Sequence, residues 1–331
     1  MACESRARPS HEFTIRFVFH YCYIFCIVKA SDRRLELLQP QNPEPLVRKD
    51  MTDTHQTAPT RFSEIDGDRF AYRRWGNTAT EQPPLLMLQH FRGGMDHWDP
   101  LMTDGLAQGR EVILFNGRGV ASSSGQPRRR IEDMADDAAA FVHVLGLEKI
   151  DVLGFSLGGF QALDLTWRHP TLVRKLMLLG TGPRGGNPDM EPKVLTTAPR
   201  PVPTYEDFEY LFFGRSEVAK RAASEFWERR HQREDQDPPT SQEVASAQIE
   251  ANMLYLPRVS EEDPFAYLRQ IKQPTFILNG VNDVMIPTIN SFYMARNLPN
   301  AQLFVYPDAG HGAQFQYPER FLYHAARFLS E

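Results

Sequence analysis

The segment 149–160, KIDVLGFSLGGF, constrains this chain more than any other. Ile150-Asp151-Val152-Leu153 is a short run of β-formers. Gly154-Phe155-Ser156-Leu157-Gly158-Gly159 follows, and the helix-forming run Gln161-Ala162-Leu163-Asp164-Leu165 comes at once. A G-x-S-x-G pattern carries weight only in that setting of strand, sharp turn and helix. The turn forces the serine into a strained backbone geometry beside which only small residues fit, and Gly154, Gly158 and Gly159 supply the room. Such a turn presents the Ser156 hydroxyl above a sheet edge. The first amides of the new helix point at any negative charge that develops there.

The rest of the chain predicts the sheet this turn needs. Runs 61–65 and 69–75 read as strands joined by Asp66-Gly67, a type I′ hairpin signal. Segments 85–89 (LLMLQ) and 111–115 (EVILF) are apolar runs of buried-strand type, and 132–145 has helical spacing ending at Gly146. A helix to about His169 is stopped by Pro170, and 175–179 is the next buried strand. From 183 to about 270 no strand-like run occurs. Helical stretches at 205–213, 217–230 and 242–253 stand there between proline-rich breaks. Alternation then resumes with strand 275–278, helix 288–298, strand 302–306 and a helix near 318–329. Strands alternating with helices predict a mostly parallel sheet covered on both faces. A helical insert after the sixth strand predicts a lid over the strand ends, where open α/β sheets bind ligands.

At 331 residues the chain holds one large α/β domain or two small ones. A net charge of -5 lacks the basic footprint of a nucleic-acid binder. The basic run Arg128-Arg129-Arg130 is followed by Glu132, Asp133, Asp136 and Asp137, and reads as a self-compensating helix start. All three cysteines, Cys3, Cys22 and Cys26, precede residue 30, and the chain has no N-x-S/T sequon. Both features suit a reducing, cytoplasmic setting. No stable membrane partner is expected.

Residues 1–50 read differently. Segment 13–28, FTIRFVFHYCYIFCIV, is apolar but carries Arg16 and His20, and it is short for a bilayer span. Three readings compete: a signal anchor with Arg6 and Arg8 before it, a targeting segment, or a translated upstream stretch. The third is favoured, because Met51 opens a stretch that reads as an ordinary enzyme N-terminus. Segment 39–50, rich in proline and charge, reads as disordered. The expected organisation is therefore an N-terminal extension over 1–58, disordered or dispensable, a core over 59–182 and 271–331, and a helical cap over 183–270.

A serine hydroxyl needs a base to take its proton and an acid to hold that base in one tautomer. Of the histidines after Ser156, His311 stands in Asp308-Ala309-Gly310-His311-Gly312, just past a strand, in a glycine-flanked loop suited to placing an imidazole. His169 is expected at a helix C-terminus, His231 in a charged exposed run and His324 in the last helix. For the acid, Asn279-Gly280-Val281-Asn282-Asp283 follows a strand, and Asp283 sits at its C-terminal end. The competing reading of Asp283 is a helix cap. The chain order serine, acid, histidine is Ser156, Asp283, His311.

On GFSLGG, NGVNDVMIP and YPDAGHG, the chain from about 61 to 331 resembles the α/β-hydrolase-fold superfamily. Within it the chain is similar to the lipase-, esterase- and haloperoxidase-like serine hydrolases with a helical cap. The resemblance implies an eight-stranded, mostly parallel sheet and a catalytic triad of Ser156, Asp283 and His311. It implies no cofactor and no metal, a small-molecule substrate, and carboxylic-ester-hydrolase-like chemistry (EC 3.1.1 or a neighbouring hydrolase class). The expected substrate is an ester, thioester or lactone of a small to mid-sized apolar metabolite, in the manner of a tailoring enzyme of secondary metabolism. The alternatives are non-hydrolytic chemistry on the same residues (C–C cleavage, cyclisation or perhydrolysis) and a slow-turnover ligand receptor.

The resemblance also implies an oxyanion hole of two backbone amides, one from Leu157 and one from the loop Gln89-His90-Phe91-Arg92-Gly93-Gly94. The loop donor is Arg92 by position, with Phe91 as the alternative. This chain has Phe91 where the family has glycine, and a bulky side chain there narrows the pocket. Arg92 reads as solvent-facing, with a substrate carboxylate as its other use. A second departure is Asn116-Gly117-Arg118-Gly119-Val120-Ala121-Ser122-Ser123, set against Asp-x-Arg-Gly-x-Gly-x-Ser, where altered packing is expected rather than lost chemistry. His97 and Trp98 are expected to pack near the pocket. Tyr210, Phe212, Phe213, Trp227, Met253 and Tyr255 are expected to form the cap core, some of them lining the pocket.

Overall fold

A computed structural model describes residues 53–331 apart from 258, 259 and 261. The readings of residues 1–50 lie outside the described residues. Strands β1 (Arg61–Ile65) and β2 (Asp68–Gly76) form a hairpin. Asp66 (φ 51°) and Gly67 (φ 81°) are both left-handed, as a type I′ turn requires. Then come β3 (Leu85–Leu88), α1 (Pro100–Ala107), β4 (Glu111–Phe115), α2 (Ile131–Val144), β5 (Ile150–Phe155), α3 (Leu157–Arg168) and β6 (Val173–Leu179). The insert holds α4 (Val194–Thr197), α5 (Tyr205–Phe212), α6 (Glu217–Arg230) and α7 (Gln242–Tyr255). The chain closes with β7 (Thr275–Gly280), α8 (Ile289–Asn297), β8 (Ala301–Tyr306), α9 (Ala313–Gln316) and α10 (Pro318–Ser330).

The eight strands lie in the order β1-β2-β4-β3-β5-β6-β7-β8. Only the β1–β2 and β2–β4 pairs are antiparallel. Central strands read as unbroken apolar runs because both faces are covered, and alternate side chains go to opposite layers. Leu85, Met87, Met177 and Leu179 join one core cluster with α1, α6 and α10 residues. Leu86, Leu88, Leu176 and Leu178 join the other, with α2 and α3 residues. Burying each such side chain contributes about 1.5–3 kcal/mol.

The cap helices start where their sequence says they should. Thr204 Oγ1 accepts from Asp207 N, while Asp207 Oδ2 accepts from Thr204 N at 3.0 Å, a reciprocal capping box. Ser216 Oγ accepts from Ala219 N at the start of α6, and Ser241 Oγ from Val244 N at the start of α7. Each cap contributes about 1 kcal/mol. The helix α1 was not expected from apolar spacing. Its signal is Asp99-Pro100: Asp99 Oδ1 accepts from Leu101 N at 3.0 Å, and Pro100 takes the first helical position. No helix among the described residues is long and apolar enough to cross a membrane.

Candidate active site

β5 runs straight into Ser156, and α3 begins at the next residue. Ser156 adopts φ 55° and ψ -120°, a conformation that costs an L-residue about 1–3 kcal/mol. Neighbouring groups hold it there. Ser156 N donates to Leu179 O at 2.9 Å, and Ser156 O accepts from Gly159 N and Thr181 Oγ1, both at 2.8 Å. The glycines are needed for close approach: a Cβ on Gly154 would strike the Gly158 carbonyl, and one on Gly158 would strike that of Leu88.

His311 comes from the loop after β8 and is fully buried. Its Nδ1 lies 2.8 Å from Asp283 Oδ2. The carboxylate accepts, so Nδ1 carries the proton and Nε2 keeps its lone pair. Asp283 Oδ1 accepts from Met285 N (2.8 Å) and Ile286 N (2.9 Å). One Asp283 oxygen thus faces His311 and the other closes a turn; no helix starts there, since α8 begins at Ile289 with Thr288 before it, so Asp283 is not a helix cap. His311 Nε2 has no partner among the described residues. It and Ser156 line one cavity of about 360 Å³, and no hydrogen bond joins the two side chains. The His311 ring packs on Phe155 (5.0 Å) and Phe212 (5.7 Å).

The loop amides sort themselves by partner. His90 N donates to Gln89 Oε1, Gly93 N to His90 O, Gly94 N to His97 Nδ1 and Met95 N to Asn116 Oδ1. Arg92 N, expected to point at the substrate, instead donates to Gln248 Oε1 of α7 at 2.7 Å. Phe91 N has no acceptor among the described residues. Nor has Leu157 N, the first amide of α3, whose place in the helix leaves it no intrahelical partner. The Arg92 side chain is half-buried. It donates to the carbonyls of Arg200, Pro201 and Thr240, which fastens the loop to the cap.

Phe91, Arg92, His90 and His97 all line the cavity. Burial, with the Arg230 charge adding to it, pushes His90 down to about 3, and the same causes push His97 well below its ordinary value. Both imidazoles are neutral at pH 7. Trp98 is core. Of the residues expected in the cap core, Phe212 and Trp227 face the cavity and Tyr255 stacks on Phe160, whereas Met253 is exposed and is not part of that core. His169 pairs with Asp136 (2.9 Å), and His324 packs on Phe304. His231 binds the Trp227 carbonyl, yet it too borders the cavity. Phe208 and Arg230 are among the cavity residues that carry no sequence signal. Phe208 reads as ordinary helix core, and Arg230, in the run Glu228-Arg229-Arg230-His231, reads as solvated charge.

A model of the alpha/beta hydrolase fold family matches residues 83–318. The solved structure of an alpha/beta hydrolase fold protein from Chitinophaga pinensis superposes with a TM-score of 0.78 at 36% identity, covering 84% of this chain and all of that one. The chain is 30% identical to a 2-hydroxymuconate semialdehyde hydrolase of Pseudomonas putida over 59% of its own length and 68% of that protein. It is 28% identical to a non-heme haloperoxidase of Rhodococcus erythropolis, over 75% of this chain and 90% of that one.

Proposed function

The chain belongs to the alpha/beta hydrolase fold family, and from that premise we propose that it is a serine hydrolase acting through an acyl-enzyme on an ester, thioester or lactone. The observation that carries this reading is the buried His311–Asp283 pair, its free Nε2 sharing a cavity with the strained Ser156.

In the proposed cycle His311 Nε2 takes the Ser156 proton as Oγ attacks the substrate carbonyl. Asp283 keeps the ring in the tautomer that can accept, and it stabilises the imidazolium formed. The Leu157 and Phe91 amides hold the oxyanion, since the Arg92 amide already serves Gln248. The imidazolium then protonates the leaving group as the tetrahedral species collapses. Water, deprotonated by the same imidazole, attacks the acyl-enzyme and restores Ser156. In the free enzyme the serine–imidazole hydrogen bond is not formed, as is common before substrate binds. A cavity of about 360 Å³ suits a small to mid-sized substrate.

Ser156→Ala is expected to lower kcat on p-nitrophenyl esters by about 10⁴-fold or more. Turnover within tenfold of the parent protein rejects the mechanism. The relatives' names favour a second reading, a semialdehyde substrate like that in the Pseudomonas putida protein's name or haloperoxidase-type chemistry, on the same three residues. Product analysis with such substrates separates it from ester hydrolysis.

A further inference from the structure

The cavity that holds Ser156 and His311 also holds a cation that the proposed cycle does not use. Arg230, the last residue of α6, is 8% exposed. Its Nε and Nη1 have no hydrogen-bond partner among the described residues. Its neighbours are satisfied: Arg229 forks onto Asp99 at 2.9 and 2.7 Å, and Arg233 donates to the carbonyls of His55, Gln56 and Ala58. The Arg230 guanidinium instead lies over the rings of Phe208 (4.6 Å) and Trp227 (5.2 Å). Ring contacts offset only part of the cost of keeping a cation out of water. Burial lowers its pKa to about 10, so the charge persists at pH 7.

The remaining charges around the cavity are already matched. Asp96 is held by Arg73 and by the Asp237 amide, and Asp237 by Asn116 and Ser122. Arg92 is spent on carbonyls. His97 accepts from Gly94 N through Nδ1, which leaves Nε2–H as a neutral donor. We propose that Arg230 binds a carboxylate carried by the substrate, at the end remote from the scissile carbonyl. A planar guanidinium fork matches a carboxylate. Phe208 stacks on Phe212 at 5.1 Å, and Phe212 lies 5.7 Å from the His311 ring. Two rings, Phe208 and Phe212, therefore stand between Arg230 and the base, so the substrate has an acid head, an apolar spacer and then the reacting carbonyl. The assignment rests on the serine-hydrolase reading and narrows its substrate class to acid-tailed esters.

The test compares p-nitrophenyl hydrogen adipate, pimelate and suberate with their methyl-capped counterparts. For at least one chain length the acid is expected to have the higher kcat/KM. In Arg230→Gln the acid-to-methyl ratio is expected to fall by at least about 30-fold, with Arg230→Lys retaining part of it. A ratio at or below one at every length, or the same ratio in Arg230→Gln, overturns the assignment. Calorimetry on Ser156→Ala with monomethyl pimelate reads binding without turnover and decides the matter should Arg230→Gln not fold. Saturable binding of the acid, and none of dimethyl pimelate, is expected; equal binding of the two, or of neither, overturns it. Acid-selective binding without wild-type turnover keeps this assignment and removes the hydrolase reading. Turnover without acid preference or acid binding does the reverse.

Discussion

Asn116 departs from the aspartate of the motif it resembles, and its surroundings suit the amide. Its Oδ1 accepts from Met95 N at 2.9 Å, and its Nδ2 donates to Asp237 Oδ2 at 2.8 Å. An aspartate would set two carboxylates against each other in a part-buried site and leave Asp237 short of a donor. Asn116→Asp is expected to lower stability by about 1–3 kcal/mol at pH 7, with Asp237→Asn restoring most of it. Urea unfolding checks this, and an undiminished midpoint in Asn116→Asp contradicts it. Ala121, the other departure, holds φ 49°, where glycine is cheaper; nothing in the structure explains the alanine. Ser156, Asp283 and His311 were legible because each is announced locally, by a strand end followed by a turn. Arg230 and Gln248 were not. Their burial comes from cap and core closing over them, and a charge in a polar helix end looks the same in sequence whether or not another segment covers it.

At the scale of elements, α7 and the segment before it hold the loop that follows β3. Gln248 and Thr240 take the Arg92 amide and carbonyl at 2.7 and 2.8 Å, and Arg92 itself is held at φ 61°. In the proposed cycle Gln248 acts on the neighbouring Phe91 amide only through Arg92, which makes it a positioning residue. Gln248→Leu leaves the Arg92 N–H unpaired, at a cost of about 1–3 kcal/mol. It is expected to lower kcat by roughly tenfold with KM little changed, since oxyanion contacts tighten in the transition state. An unchanged kcat contradicts this placement of the loop. The order of strands and helices was readable because unbroken apolar runs mark strands covered on both faces. The helix α1 escaped apolar spacing because Pro100 and Gly105 interrupt its eight residues, although Asp99-Pro100 was available as a start signal.

Across the whole molecule, three imidazoles with lowered pKa values, the buried His55 and His90 and the half-buried His97, shape the response to acid. Burial pushes His55 and His90 down to about 3, and His97 well below its ordinary value. Each has a lowered folded-state pKa, so the unfolded chain binds more protons below pH 6.5. The stability they contribute is complete above that pH and is lost as pH falls toward 3, at about 1.4 kcal/mol per group per pH unit. Urea midpoints are expected to drop steeply from pH 7 to 5. His55→Gln, which sits outside the cavity against Thr103, should make that slope shallower. A midpoint unchanged between pH 7 and 5 contradicts the account. The proposed function requires an activated serine at position 156. Intact-mass spectrometry of the native protein before and after a fluorophosphonate probe tests it most directly, beside Ser156→Ala. One adduct per chain, absent from the alanine variant, is the predicted result. No adduct on the native protein, or one that survives in Ser156→Ala, contradicts the claim.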